Sequence, residues 1–199
     1  MDINQRIVVH DFVAGGTSTL YVYDPSTNTF GVIGNTGRSL TDLAITPDGR
    51  AYAIGFDAFY RIDFATGATT LISALNPVAS NALTADGRGA LFIAEFSSTR
   101  IQRIDPDTGQ RTAFATSAAP SAGDLIVFND RLWLATTALT LESFDLVTGQ
   151  RLGALAHGIS DVFGLAIGAD GRLYGFAGNR AFVFDTGSGQ ATQVATFPG

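Results

Sequence analysis

In the segment RIDPDTGQR, Asp105, Asp107 and Gly109 occupy the first, third and fifth places of a short turn, which is how a calcium loop begins. Sister segments elsewhere in the chain, YDPSTN, IDFATG, FDLVTG and FDTGSG, test this reading. Where RIDPDTGQR has Asp107 they have Ser26, Ala65, Val147 and Gly187, so the second carboxylate belongs to one copy alone. Arg111 stands in the direction where a calcium loop needs a bidentate acid, and its charge opposes a cation. The expectation is a hairpin turn. Each Asp accepts hydrogen bonds from the turn's own N–H groups, and the Gly, replaced once by Asn28, takes the left-handed conformation that closes it.

Other residues with chemical potential are few. Of the two histidines, His157 lies in LAHGISDVFG, where a loop can set it beside Asp161 as a general base with an orienting carboxylate. A His-Gly turn without a chemical role is the plainer reading. His10 reads as a strand surface residue. Glu95, in LFIAEFSSTR, is an acid inside an apolar run, so it either pairs with Arg100 or Arg103 or faces an open channel with a raised pKa. Phe56, Tyr60, Phe96 and Trp133 can stack on sugar rings, although a lone Trp among core strands is more often packing. Serine-nucleophile motifs, phosphate-cradling glycine loops and zinc spacings are absent, and with no Cys there are no thiolate sites or disulfides.

The elements that must position these residues follow from a repeat. The turn aspartates Asp24, Asp63, Asp105, Asp145 and Asp185 are separated by 39, 42, 40 and 40 residues. A second signal, TPDGR, TADGR, FNDR and GADGR, places Asp48, Asp86, Asp130 and Asp170 between them. The runs between turns are short, β-branched and aromatic, as in RAYAIGF, FYRIDF and ALFIAEF. Two turn signals and four strands per unit of about 40 residues predict an all-β chain and a β-propeller of five blades, with an open sandwich or a solenoid as the lesser alternatives. The blades fall at approximately 1–36, 37–77, 78–118, 119–158 and 159–199, within a single domain. Ahead of Asp24 there is room for only one further strand, QRIVVHDF, so the first blade lacks its innermost strand.

Composition bounds the partners. The 199 residues carry a net charge of -6, and all twelve basic residues are Arg, so nucleic acid and anionic membrane surfaces are not expected partners. The N-terminal MDINQRIVVHDF reads as neither a signal peptide nor a span, which leaves the compartment open. The chain is expected to act as a monomer or as part of a larger chain.

In a propeller, loops entering the innermost strands converge on the mouth of the central channel. Counting back six residues from each Asp-Gly turn reaches Asp42, Ser80, Asp124 and Gly164, with Asn81 beside Ser80. Asp42, Asn81 and Asp124 would make an oxygen-rich cage for calcium or another divalent cation. The competing reading is that Asp42 and Asp124 cap strand ends or satisfy neighbouring backbone amides.

Repeats such as LAITPDGRAYAIG…FYRIDFATGATTLI and LAIGADGRLYGFAG…AFVFDTGSGQATQV resemble the blades of bacterial propellers of the NHL and gluconolactonase-like superfamily. They resemble still more the secreted repeat propellers of unknown function, and the likeness favours an extracytoplasmic location. The Trp-Asp dipeptide of WD-type propellers is absent. For the lactonase-like enzymes the resemblance implies a divalent metal held by Glu, Asn and Asp. Asn81 and Asp124 match the amide and one carboxylate, while the acid from the first blade has no counterpart. Three readings stand: a non-catalytic binding or interaction module for carbohydrate or protein; a metal-dependent lactonase-like hydrolase with His157 as base; and a structural part of a larger surface protein.

Overall fold

The computed structural model describes residues 7–24, 27, 29–76, 79–168 and 170–197. Among these, nineteen strands run in chain order: β1 (Ile7–His10), β2 (Thr19–Asp24), β3 (Thr29–Asn35), β4 (Asp42–Ile45), β5 (Ala51–Ile54), β6 (Ala58–Ile62), β7 (Thr69–Ala74), β8 (Ser80–Ala85), β9 (Leu91–Glu95), β10 (Arg100–Ile104), β11 (Arg111–Thr116), β12 (Ser121–Phe128), β13 (Arg131–Thr136), β14 (Thr140–Asp145), β15 (Arg151–Ala156), β16 (Val162–Ile167), β17 (Leu173–Ala177), β18 (Arg180–Phe184) and β19 (Ala191–Thr196). They form five meander sheets, β1-β2-β3, β4-β5-β6-β7, β8-β9-β10-β11, β12-β13-β14-β15 and β16-β17-β18-β19. Among the described residues the first sheet has three strands and the others four.

The turn after the third strand of each four-stranded sheet is built by its aspartate. Asp105 Oδ1 accepts from the N–H groups of Asp107 (3.0 Å) and Thr108 (2.7 Å) and from the Thr108 hydroxyl (2.8 Å). Asp145 repeats this with Val147 and Thr148, Asp185 with Gly187 and Ser188, and Asp63 with Ala65 and the Thr66 hydroxyl. The hydrogen bonds hold the Asp105 and Asp145 carboxyls below the usual carboxylate range, chiefly through Thr108 and Thr148. RIDPDTGQR is therefore a hairpin turn. Asn28, the expected left-handed residue of the first copy, lies outside the described residues, as do Pro25 and Ser26.

The turn glycines answer to a second constraint that spacing alone does not reveal. Gly149 has φ +73, and a Cβ there would run into the backbone oxygen of Phe114 on β11, one sheet earlier. Gly109 would meet Ser73 of β7, and Gly67 would meet Gly34 of β3. Each turn is thus packed against the outermost strand of the preceding sheet, at a separation that admits only hydrogen at Cα.

The second turn signal is less regular than its spelling. In the second sheet Thr46 N–H donates to Arg50 O and Gly49 N–H to Thr46 O. In the third, Asp86 N–H donates to Ala90 O and Gly89 N–H to Asp86 O. Asp86 thus stands where Thr46 stands, two places earlier in its turn than Asp48, and Gly89 rather than Gly87 is left-handed (φ +86). In the fourth sheet Asn129 (φ 50) and Asp130 (φ 57) form a two-residue hairpin between Phe128 and Arg131.

The chain divides into two compact units, Met1–Leu91 with Ile104–Arg111, and Phe92–Arg103 with Thr112–Gly199. In the first, Leu20, Leu40, Ala53, Tyr60 and Ile62 form a buried cluster. In the second, Trp133, Leu141, Val162, Leu173, Phe182 and Phe184 do so. The Trp133 indole donates to Phe128 O at 3.1 Å, which makes it a core residue rather than a sugar platform.

Candidate functional site

Asp42 opens the innermost strand of the second sheet and Asp124 lies within that of the fourth, one in each unit. Asp42 accepts from its neighbour Leu43 N–H at 2.7 Å through Oδ1, and from Leu83 N–H of β8 at 2.7 Å through Oδ2. Asp124 does the same with Leu125 N–H at 2.6 Å and Leu165 N–H of β16 at 2.5 Å. The four leucines are equivalent positions of four innermost strands. Each carboxylate therefore serves its own strand and that of the next sheet, and two aspartates satisfy the same amide in all four sheets.

This bonding explains why the residue type alternates. The places equivalent to Asp42 and Asp124 in the third and fifth sheets are Ala82 and Gly164, whose following amides, Leu83 and Leu165, are already taken. Counting back from TADGR reaches Ser80 instead, two residues too far, because Asp86 occupies an earlier place in its turn. Asn81 consequently sits one residue out of step with Asp42, on the opposite face of its strand from Ala82. Each oxygen of Asp42 and Asp124 already accepts one backbone N–H, so a cation would compete with two charge-assisted bonds on each side chain. Both carboxylates are bonded to backbone amides. Among the described residues there is no group of three or more His, Asp or Glu side chains with metal-binding geometry.

His157 lies half-buried in the loop between β15 and β16. Its Nδ1 accepts from Ile159 N–H at 3.1 Å, and its ring packs edge-on to Phe184 with centroids 5.2 Å apart. Burial lowers its pKa, with the Thr140 backbone pulling the other way, so the neutral ring is favoured. Asp161 is exposed, in a left-handed conformation (φ 60), and no hydrogen bond joins it to His157. The structure thus gives His157 a turn-capping bond and leaves Asp161 in solvent. His10 is half-buried, with Nδ1 against Asp11 O at 3.0 Å, and burial lowers its pKa as well.

Glu95 is fully buried at the end of β9, where it accepts from Arg100 Nη2 at 3.0 Å and Ser98 Oγ at 2.6 Å. Of the two partners the sequence offered, Arg100 is the one used, while Arg103 stacks over Phe114 at 4.8 Å. A second buried acid, Glu142 on β14, went unremarked in the sequence. It accepts from Arg151 Nε at 2.7 Å and from Ala118 N–H at 3.0 Å. The signal that could have found it is the charge inside the strand TLESFD, the same anomaly that singles out Glu95.

Asp107 is exposed and shared by Arg50 and Arg61, each at 3.5 Å. One apolar surface feature recurs in four of the five sheets, in the loop that leads into the strand carrying the turn aspartate. Phe12 and Val13 occupy the β1–β2 loop, Phe56 the β5–β6 loop, Phe96 the β9–β10 loop and Leu139 the β13–β14 loop, all exposed. In the first unit Phe12 (53 % exposed) meets Phe56 (40 %) edge-on, with centroids 6.1 Å apart. Tyr60, by contrast, is buried.

Comparison with solved structures gives the fold. The crystal structure of a nidogen/laminin complex contains a chain that superposes with a TM-score of 0.75 at 14% identity, over 99% of this chain and 77% of that one. Virginiamycin B lyase from Staphylococcus aureus superposes at 0.62 and 14% identity, over 97% of this chain and 71% of its own. Hydrazine synthase from Kuenenia stuttgartiensis reaches 0.62 at 13% identity, over 79% and 49%. No family model matches the chain. No curated protein matches it by sequence. With five meander sheets and these likenesses, the chain has the all-β, β-propeller fold. Identities this low carry the fold and no activity, and the neighbours include both a component of a protein complex and lyases.

Proposed function

We propose that the chain is a non-catalytic binding module that engages a protein or carbohydrate ligand through the loop ends of its sheets. The observation that carries this reading is the Phe12–Phe56 pair, two large rings held in contact with one another yet exposed. Burying such rings is unnecessary for the core and favourable for a ligand, at about 25 cal/mol for each Å² removed from water. Phe96 and Leu139 continue the same loop position in the second unit. The occurrence of the fold in a nidogen/laminin complex is consistent with protein binding.

The alternative, a lactonase-like hydrolase related to the NHL and gluconolactonase-like superfamily, would use Asp42, Asn81 and Asp124 for the metal and His157 with Asp161 as base. The backbone bonds already made by Asp42, Asp124 and His157 weigh against it. Metal analysis of protein purified without chelator, with thermal unfolding in calcium, separates the two. The binding-module reading predicts no stoichiometric divalent ion and an unchanged Tm. One tightly held ion per chain, lost from Asp124→Ala, would overturn it. A positive arm is NMR titration with oligosaccharides and peptides, in which shifts should centre on Phe12 and Phe56 and vanish in Phe56→Ser.

A further inference from the structure

Three loops meet around the exposed ring pair of the first unit. Phe12 and Val13 lie in the β1–β2 loop, Arg38 and Ser39 between β3 and β4, and Phe56 and Asp57 in the β5–β6 loop. Ser39 Oγ donates to Val13 O at 3.1 Å, and a Cβ at Gly55 would run into Ser39 O, so each loop touches the next. Main-chain bonds fix them in place: Leu75 N–H donates to Asp57 O at 2.6 Å, Ala79 N–H to Phe56 O at 2.9 Å and Asp11 N–H to Thr19 O at 3.3 Å. The backbone is thus held while the side chains of Phe12, Val13, Phe56 and Asp57 stay exposed.

The charges beside the rings differ in how they are used. Each phenylalanine has an acid next to it in the chain, Asp11 before Phe12 and Asp57 after Phe56. Asp11 is engaged inside its own loop, where it accepts from Thr19 N–H at 2.5 Å and from the Tyr21 hydroxyl at 3.5 Å. The Asp57 carboxylate has neither a hydrogen bond nor an ion pair among the described residues. The cation of these loops, Arg38, lies with its guanidinium 6.0 Å from the centroid of the buried Tyr60 ring.

On the reading that this surface binds a ligand, we propose that the ligand is a lysine or arginine side chain of a protein partner. Its aliphatic stem lies against Phe12, Val13 and Phe56, and its charged head meets Asp57. Such a side chain is apolar along its length and charged at its tip, which is the order in which this surface presents its own groups. The two rings meet at 81°, which makes a corner for a stem rather than one flat platform for a sugar ring. A cation in that corner also gains from the ring faces. The net charge of -6 draws a basic partner toward the chain as a whole.

Three peptides test this, acetyl-Gly-Leu-Xaa-Leu-Gly-amide with lysine, norleucine or glutamate at the centre, each titrated into the full chain while the NMR signals of Phe12, Phe56 and Asp57 are followed. The lysine peptide should shift these signals saturably and bind about fivefold more tightly than the norleucine peptide, which keeps the stem and loses the charge. Raising NaCl from about 20 mM to about 300 mM should remove most of that advantage. Asp57→Asn should abolish it with an unchanged Tm, whereas Asp107→Asn, which removes another exposed acid of the same unit, should leave it intact. Equal binding of the lysine and norleucine peptides, or a lysine preference that survives in Asp57→Asn, would overturn the basic ligand and leave the binding-module reading standing. A preference for glutamate would do the same and assign the surface to Arg38. If none of the three peptides moves Phe12 or Phe56 at millimolar concentration the basic ligand is also overturned, and if oligosaccharides fail there as well the binding-module reading falls with it.

Discussion

The two units use one device in common and differ in where they keep their charge. In both, an aspartate on an innermost strand holds two equivalent leucine amides in adjacent sheets. In the first unit the Arg50–Asp48, Arg50–Asp107 and Arg61–Asp107 pairs are solvated on both sides. The second has a solvated pair too, Arg172–Asp170, but adds two buried carboxylates, Glu95 and Glu142, whose arginines reach in from the surface. A solvated pair contributes little because water and salt screen it. A buried acid is costly as soon as its partner leaves. The difference teaches that carboxylates here are sorted by what they bond rather than by where a reaction might occur.

The largest expected effect comes from separating a buried acid from its cation. Arg151→Ala leaves Glu142 with only the Ala118 amide and should destabilise the protein by about 3 kcal/mol in urea unfolding. Arg100→Ala should cost less, because Glu95 keeps the Ser98 hydroxyl. Arg50→Ala in the first unit should leave the midpoint unchanged. Equal losses at Arg151 and Arg50 would erase the contrast between the units.

The shared device gives the next effect. Asp42→Ala and Asp124→Ala each strand two half-buried amides and should cost about 2 kcal/mol. Having no partner in common, the two losses should add in the double variant. If calcium raised the Tm of the unaltered protein but not of either variant, the carboxylates would be ligands rather than staples.

These aspartates also mark how far the sequence could be read. The fold was legible because Asp-x-x-x-Gly turns recur at a near-constant period, and a hairpin turn is specified by local residue types. That Asp42 and Asp124 satisfy neighbouring backbone amides was legible as the competing reading. Their second partner was not, because that bond joins residues 41 positions apart, Asp42 to Leu83, and depends on strand register. A turn that slides by two residues, as at Asp86, defeats counting back along the chain. Glu142 was hidden differently: its anomaly is a single charge, and its partners Ala118 and Arg151 come from other elements.

Glycine pairs sharpen the packing side of the comparison. Gly149→Ala forces a left-handed Ala into the Phe114 carbonyl and should cost roughly 2 kcal/mol, combining backbone strain with overpacking. Gly153, on β15 with open space around its Cα, should accept Ala without loss. Gly109→Ala meets the Ser73 Cβ, which no side-chain rotation moves aside, and Gly67→Ala meets the Gly34 backbone. The first unit should therefore lose about as much as the second.

The smallest effect is a pH dependence carried by one histidine in each unit. Burial lowers the pKa of both His10 and His157, so the folded state favours the neutral ring while the unfolded chain protonates near pH 6.5. The unfolded state then binds more protons below that value, and stability rises with pH in that window. The contribution is complete above about pH 6.5 and is lost as pH falls toward the lowered folded-state values. Tm measured between pH 7 and pH 5 should decline, and His157→Gln and His10→Gln should each flatten part of the decline. Asp11 faces His10 and partly offsets its desolvation, whereas His157 has the Thr140 backbone in that role. Adding salt should therefore steepen the His10 share by screening Asp11 and leave the His157 share unchanged. A decline that survives in the double variant would instead be assigned to the carboxylates.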